Sequence, residues 1–171
     1  MTYRTIFLAL TIAVATVGCG DDSTTPSSVP PKFTAALSPA NEVPPITNAE
    51  ASGSGTAAIT FNLSKDAAGN ITAATADFAV TLTGFPAGTT LTAAHIHPGA
   101  AGVNGSPLVN LNLTPGATIL TNGSGSFNVN GITMSATDAQ TIMNTPANFY
   151  FNVHSTVNGG GFTRGQLNRT Q

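Results

Sequence analysis

From Phe33 onward, the chain consists of short runs in which apolar and polar residues alternate, separated by Gly, Pro and Asn. Ala57, Ile59, Phe61 and Leu63, for example, alternate with small or polar residues. Because successive side chains of a β-strand point to opposite faces of a sheet, this period of two predicts half-buried strands. The pattern is found in these segments: 33–37, 55–63, 71–82, 91–97, 108–113, 125–130, 149–154 and 162–167.

One helix is predicted among these strands. Ser135 has the position of an N-cap, Asp138 lies where a helix N-terminus favours negative charge, and Pro146 ends the segment. Many short strands with turn residues between them indicate antiparallel pairing. We therefore expect an all-β fold: a Greek-key antiparallel β-sandwich of about eight strands, superoxide dismutase-like or immunoglobulin-like, with one short helix.

Charged residues are scarce, and this limits the classes of partner. The chain has 5 basic and 7 acidic residues, so 7% of it is charged, where about 25% is usual in soluble domains. Binding to a phosphate backbone needs clustered Lys and Arg, and the cations here are scattered along the sequence. We therefore predict no nucleic-acid partner. A surface of Thr, Ser, Asn and Gly suits a β protein outside the cytoplasm.

Residues 1–18 are organised like a signal peptide, with Arg4 near the start and an apolar run at 6–15. That run is shorter than the roughly 20 residues needed to span a bilayer. Residues 16–19, Thr-Val-Gly-Cys, resemble a bacterial lipobox, whose cysteine is lipidated and becomes the new N-terminus. Lipidated Cys19 would anchor the protein to a membrane. The alternative is an ordinary secretory signal with Cys19 incidental.

The segment after Cys19 predicts a tether. Residues 19–32 are rich in Ser, Thr, Asp and Pro and have no apolar period, which is typical of a linker that holds a domain away from a membrane. The folded domain is expected at 33–168. Cys19 is the one cysteine of the chain, so the domain has no internal disulfide. We predict a lipid-anchored, extracytoplasmic protein of the bacterial cell envelope.

All three histidines lie in two motifs, AAHIHPG at 93–99 and FYFNVH at 149–154. Residues two apart in a strand share a face, so His95 and His97 project together. The same period places His154 with Tyr150 and Asn152, opposite the apolar residues of the second motif. If the two strands are neighbours, about 4.8 Å apart, three imidazoles can converge on one metal ion and leave a coordination position open.

An all-imidazole ligand set suits copper or zinc, and the Irving–Williams order makes copper the more tightly bound ion. We therefore predict a copper site at His95, His97 and His154, with zinc as the alternative. A zinc hydrolase would need a general base nearby, and the acidic residues lie far from both motifs in sequence. A second interpretation needs no metal, because these histidines can also hydrogen-bond to Asn152, Tyr150 or loop carbonyl groups.

Arg164 is the basic residue next to this predicted site. It would either steer a small anion to the open metal position or form a buried structural pair with an acid such as Glu42. The glycines within 99–105 and 159–161 are predicted to serve tight turns. No nucleophile elbow accompanied by a triad is found, so the sequence predicts no catalytic residues.

Four motifs resemble those of the CHRD domain, a family named after chordin, in the family's order. They are LSPANEVPP at 37–45, AAHIHPG at 93–99, YFNVHS at 150–155 and RGQL at 164–167. Single-domain bacterial members look like exported proteins without an assigned activity, so the resemblance implies a fold and little mechanism. Residues 158–163 depart from the family, which typically has a Pro-Gly-Gly turn followed by Glu-Ile.

The chain is also remotely similar to copper-zinc superoxide dismutases. There, a strand His-x-His and a later Val-His hold copper, and an arginine steers the anion. The resemblance implies these roles for His95, His97, His154 and Arg164. The bridging histidine, the zinc-loop ligands and the disulfide cysteines have no counterparts in this sequence, which leaves at most a copper-only site.

Three functional hypotheses follow. The first is a membrane-tethered module whose three histidines hold copper for sequestration or redox chemistry. The second is a structural or adhesive domain that binds an envelope protein or a glycan without a metal. The third is a copper-only dismutase-like enzyme.

Overall fold

The structure, a computed structural model, describes Met1 and residues 29–171. Apart from Met1, the predicted signal peptide at 1–18, together with Cys19 and most of the predicted tether, lies outside the described residues. No helix within the described part of the chain combines the length and the apolar character that a membrane crossing requires.

The described residues form ten β-strands, one α-helix and three short 3₁₀ helices. The strands are β1 (Lys32–Leu37), β2 (Ser54–Lys65), β3 (Ile71–Thr83), β4 (Thr89–Pro98), β5 (Val109–Asn110), β6 (Ile119–Leu120), β7 (Gly125–Met134), β8 (Phe149–Ser155), β9 (Thr163–Gln166) and β10 (Asn168–Arg169). The α-helix is α1 (Ala136–Asn144), and the 3₁₀ helices are Pro39–Asn41, Ala49–Ser52 and Pro146–Asn148.

Two antiparallel sheets pack against each other. The first has the order β10-β1-β2-β3-β7, and the second has the order β5-β4-β8-β9, with β6 also pairing with β4. Strands distant in sequence are neighbours, such as β3 with β7 and β4 with β8, as Greek-key connections require. The predicted all-β sandwich is confirmed, and the important consequence is that β4 and β8 are adjacent.

The number of strands is larger than predicted. β6 and β10 have two residues each, which is too short for an alternating pattern to be recognised. The predicted strand at 108–113 was too long, because only Val109–Asn110 are paired. Asn112 has a φ of 53°, which takes the backbone out of the extended region after β5.

The predicted helix start is present in α1. The Ser135 side chain accepts a hydrogen bond from the Asp138 backbone N–H at 3.0 Å, and its hydroxyl donates to the Asp138 carboxylate at 2.6 Å. The helix ends at Asn144, two residues before Pro146. Ala139 and Ile142 of the helix are buried, so α1 packs onto the sandwich through one face.

The core lies between the two sheets and is largely aromatic and aliphatic. Phe78 of β3 and Phe151 of β8 stack across the gap with ring centroids 5.8 Å apart. Ala94 and Ile96 of β4, fully buried, also belong to this core. These residues fix which face of β4 and β8 points inward, and the residues between them must point outward.

The outward face of the second sheet is covered, unlike an ordinary sandwich face. All seven residues of β8 are buried, because loops within 38–53, 99–107 and 156–161 are hydrogen-bonded to side chains of this face. The covering loops bury an unusual set of polar side chains: Glu42, Glu50, His97, Asn152, His154 and Arg164. Buried polar groups require partners, so this face must be held together by contacts among its polar side chains and the covering loops.

Candidate metal centre

Strands β4 and β8 together carry all three histidines. In their antiparallel register His95 lies opposite Asn152, and His97 lies opposite Tyr150. His154 is two residues beyond Asn152 on the same strand. The three imidazoles therefore share the covered outward face, as the alternation of each motif predicted.

The structure brings the three imidazoles together. The Nδ1 atom of His95 lies 3.0 Å from the Nε2 atom of His154. One ring nitrogen from each of His95, His97 and His154 lies within 4.8 Å of the other two. Ligands on one metal at bonds of about 2.0 Å are roughly 3.4 Å apart, so the widest separation would have to shrink by somewhat more than 1 Å.

Backbone carbonyl groups fix the orientation of two of the rings. The Nδ1 atom of His97 lies 2.9 Å from the Gly105 carbonyl oxygen, and that of His154 lies 2.9 Å from the Gly159 carbonyl oxygen. A carbonyl oxygen can only accept, so both Nδ1 atoms carry the proton. The neutral rings therefore present Nε2 as an unprotonated lone pair, which is the form that binds a metal.

The Nε2 atoms of His154 and His97 differ in their hydrogen bonding. That of His154 accepts from the Nδ1–H of His95, because the proton of His154 is already on its own Nδ1 atom. That of His97 is buried and has no hydrogen-bond partner within the described part of the chain. The site thus contains one buried nitrogen lone pair without a hydrogen-bond partner, on a ring that belongs to the imidazole cluster.

Burial favours the neutral form of His95 and His97. Desolvation, followed by the charges of His154 and His97, lowers the pKa of His95 from 6.5 to about 4. Burial is also the largest cause of a lowered pKa at His97; the hydrogen bond to Gly105 opposes it, and His154 and Arg164 reinforce it. Protons therefore compete little with a metal at neutral pH.

Gly105 brings its loop unusually close to β4. A Cβ atom at this position would lie 1.8 Å from the Pro98 carbonyl oxygen, so no side chain fits there. The Gly105 backbone N–H donates to the Tyr150 hydroxyl at 3.2 Å. The sequence predicted only turns for Gly105 and Gly159. It did not predict that their carbonyl oxygens bind His97 and His154, because every residue has a carbonyl group and the residue type does not show which one is used.

Arg164 of β9 is buried next to the cluster and is 2% exposed. Its Nε donates to the Asn41 carbonyl oxygen at 2.6 Å, and its Nη1 donates to Asn104 Oδ1 at 2.8 Å. Its Nε also lies 3.9 Å from Oε2 of Glu42. Arg164 therefore connects the loop at 38–45 with the loop that carries Gly105.

Tyr150 lies between Arg164 and the histidines. Its ring is parallel to that of His97 within 5°, with centroids 4.9 Å apart. The guanidinium carbon of Arg164 lies 4.5 Å from the centroid of the same ring, a cation–π distance. The sequence placed Tyr150 on the correct face, but only the packing shows that it contacts a histidine on one strand and an arginine on another.

Glu50 supports the other loop. Its carboxylate accepts from the Ser155 hydroxyl at 2.8 Å and from Asn158 Nδ2 at 2.5 Å. Asn158 immediately precedes Gly159, whose carbonyl oxygen binds His154. Glu50, 2% exposed, was not predicted as part of the site, because 105 residues separate it from Ser155.

The fold and this face define an all-β sandwich protein with a three-histidine cluster beneath the loops of one sheet. The CHRD domain family matches residues 33–167. The chain belongs to this family, as the four motifs indicated. None of the curated proteins matches the chain, and none of the solved structures matches it either.

Proposed function

We propose that this CHRD domain binds one copper ion through His95 Nδ1, His97 Nε2 and His154 Nε2. The observation that carries the proposal is the His97 Nε2 atom, which is buried and unpartnered within residues 29–171. A buried polar atom without a partner costs about 1–3 kcal/mol. A metal ion would supply the missing interaction.

The donor set fits the proposed ion. It consists of three neutral nitrogens, two of them oriented by carbonyl groups, and the cluster contains no carboxylate. Imidazole ligands suit copper and zinc, and copper binds more tightly. Copper would add its redox chemistry to a site with an open coordination position, and zinc remains the alternative ion.

Binding requires a change of tautomer at His95. His95 donates its Nδ1–H to His154 in the metal-free protein, so His95 must move this proton to Nε2 before Nδ1 can bind a metal. His97 and His154 keep their Nδ1 protons on Gly105 and Gly159. His97 and His154 are therefore already oriented to bind a metal, whereas His95 must first change its tautomer.

Two competing functions receive less support. Arg164 donates through Nε to Asn41 and through Nη1 to Asn104, lies close to Glu42 and is 2% exposed, which favours the structural pair over anion steering and hence weakens the dismutase alternative. For a glycan-binding domain, the large exposed apolar side chains among residues 29–171 include no aromatic residue on which a sugar could stack.

Metal titration of the mature domain tests the proposal. The wild-type protein is expected to take up one equivalent of Cu(II), and His97→Ala and His154→Ala are expected to lose high-affinity uptake. Thr92→Ala, on the same strand as two of the ligands, is the matched control and should bind like wild type. Equal weak uptake by all four proteins would reject the copper site and leave the non-metal alternative.

We also propose that the domain is displayed in the bacterial envelope through lipidated Cys19. The lipobox-like sequence at 16–19 and the polar segment that follows it support this part. Wild-type protein expressed in a bacterium should incorporate labelled fatty acid and sediment with membranes, whereas Cys19→Ser should do neither. A Cys19→Ser protein that still sediments with membranes and carries label would contradict it.

A further inference from the structure

One buried positive charge lies close to the three histidines. The guanidinium carbon of Arg164 and the imidazole of His97 contact the same Tyr150 ring, at 4.5 Å and 4.9 Å from its centroid. The guanidinium carbon is therefore no farther than about 9.4 Å from the His97 centroid. Arg164 is 2% exposed, so solvent screens this charge poorly.

The charges around the cluster are asymmetric. Imidazole binds a metal as a neutral ligand, so the three histidines would add no charge, and the cluster contains no acid. The acidic partner of Arg164 is Glu42, whose carboxylate is 3.9 Å from Nε, and it is the Arg164 guanidinium that lies over the Tyr150 ring. Glu50, the other buried acid, is hydrogen-bonded to Ser155 and Asn158.

We propose that the buried charge of Arg164 makes this site select the cuprous over the cupric ion, an inference that rests on the proposed copper function. A nearby cation repels Cu(II) with twice the energy with which it repels Cu(I). Neutral ligands do nothing to offset the second charge. Arg164 is thus a positioning residue for the covering loops and also determines the preferred oxidation state.

The expected size of the effect is measurable. At a separation of roughly 10 Å and an effective dielectric constant near 20, one unit charge changes a binding constant by roughly tenfold. Because the two ions differ by one charge, removing Arg164 should change the ratio of Cu(I) to Cu(II) affinity by about this factor. The same change corresponds to about 59 mV in a one-electron reduction potential.

The test measures Cu(I) and Cu(II) affinities separately, by anaerobic and aerobic competition with chromophoric chelators at about pH 8. Arg164→Gln should lower the Cu(I) to Cu(II) affinity ratio roughly tenfold, and Arg164→Lys, which keeps the charge, should retain it. Glu42→Gln removes the compensating negative charge and should raise the ratio roughly threefold. Lys65→Gln removes an exposed cation at the end of β2 and should leave the ratio unchanged.

Arg164→Gln and Glu42→Gln are expected to change the Cu(I) to Cu(II) affinity ratio in opposite directions, and this makes the result decisive. If Arg164→Gln does not fold, Glu42→Gln and Arg164→Lys still carry the test. Affinity ratios that stay unchanged in Arg164→Gln and Glu42→Gln, or that move in the same direction in both of these variants, overturn the inference. Failure of the copper function looks different: wild type and His97→Ala would then bind either ion equally weakly.

Discussion

The Nδ1 atom of His95 and the Nε2 atom of His154 lie 3.0 Å apart across the β4–β8 pair, 59 residues apart in sequence. This hydrogen bond closes one side of the three-histidine cluster in the metal-free protein. A metal ion must replace it, which costs about 1 kcal/mol of net hydrogen-bond energy. The same closeness means that only a small movement of His97 is needed to complete a shared site.

Copper should stabilise the folded domain. When free Cu(II) is about 100 times the dissociation constant, the free energy of unfolding should rise by about 2.7 kcal/mol, because the ion binds the native state. Differential scanning calorimetry with and without copper measures this rise, and a chelator should reverse it. An equal increase of the melting temperature in His97→Ala would show that the stabilising ion binds elsewhere.

Gly105 and Gly159 form a matched pair of positions, because each offers its carbonyl oxygen to a histidine. Gly105→Ala should weaken copper binding at least tenfold, since its Cβ atom would lie 1.8 Å from the Pro98 carbonyl oxygen and displace the loop. Gly159→Ala should bind normally, because no atom lies within 4 Å of its added Cβ. Chelator competition measures both, and equal affinities would show that the Gly105 loop does not orient His97.

Glu42 should make stability depend on pH. Burial raises the pKa of Glu42 from 4.5 to about 7, although Arg164 acts to lower it. The folded protein therefore holds a proton that the unfolded chain releases above about pH 4.5. Stability should fall as pH rises from about 4.5 to about 7, by on the order of 3 kcal/mol.

Urea denaturation at several pH values in this window checks the Glu42 prediction. Glu42→Gln does not titrate and should lose this component of the slope. Lys65→Gln, which removes an exposed charge, should keep the wild-type slope. A slope that is identical in Glu42→Gln and wild type would mean that another group takes up the proton.

Glu50 should hold the loop over His154. Glu50→Gln keeps the shape of the side chain but weakens its bonds to Ser155 and Asn158, so we expect a loss of about 1–2 kcal/mol in the free energy of unfolding. Amide exchange within 156–161 should become faster in the same variant. Exchange at wild-type rates would show that Asn158 is held by other contacts.

Local patterns predicted most of the architecture and the identity of the ligands. The β2–β3 hairpin follows from alternation on both sides of an Asp-initiated turn, where Asp66 Oδ1 accepts from the N–H groups of Ala68 and Asn70 at 2.9 Å. The helix cap at Ser135 is equally local. His95 and His97 share a face because the period of a strand is two, whatever the rest of the fold does.

The residues that surround the three histidines could not be predicted from local sequence patterns. Tyr150 stacks on His97 and contacts Arg164, and these contacts depend on the order of three strands. Glu50 accepts a hydrogen bond from Ser155, although 105 residues separate the two in sequence. Gly105 acts through a carbonyl group that every residue has, so its identity alone indicates a turn.

The sequence by itself determined the β periodicity, the single helix, the family motifs and the presence of the histidines on one face of each strand. These properties depend on backbone geometry over a few neighbouring residues. Only the tertiary structure decided that β4 pairs with β8, that loops bury the outward face, and that His97 Nε2 is left without a partner among the described residues. Strand pairing and burial depend on the free energy of the whole packed chain, to which residues far apart in sequence contribute together.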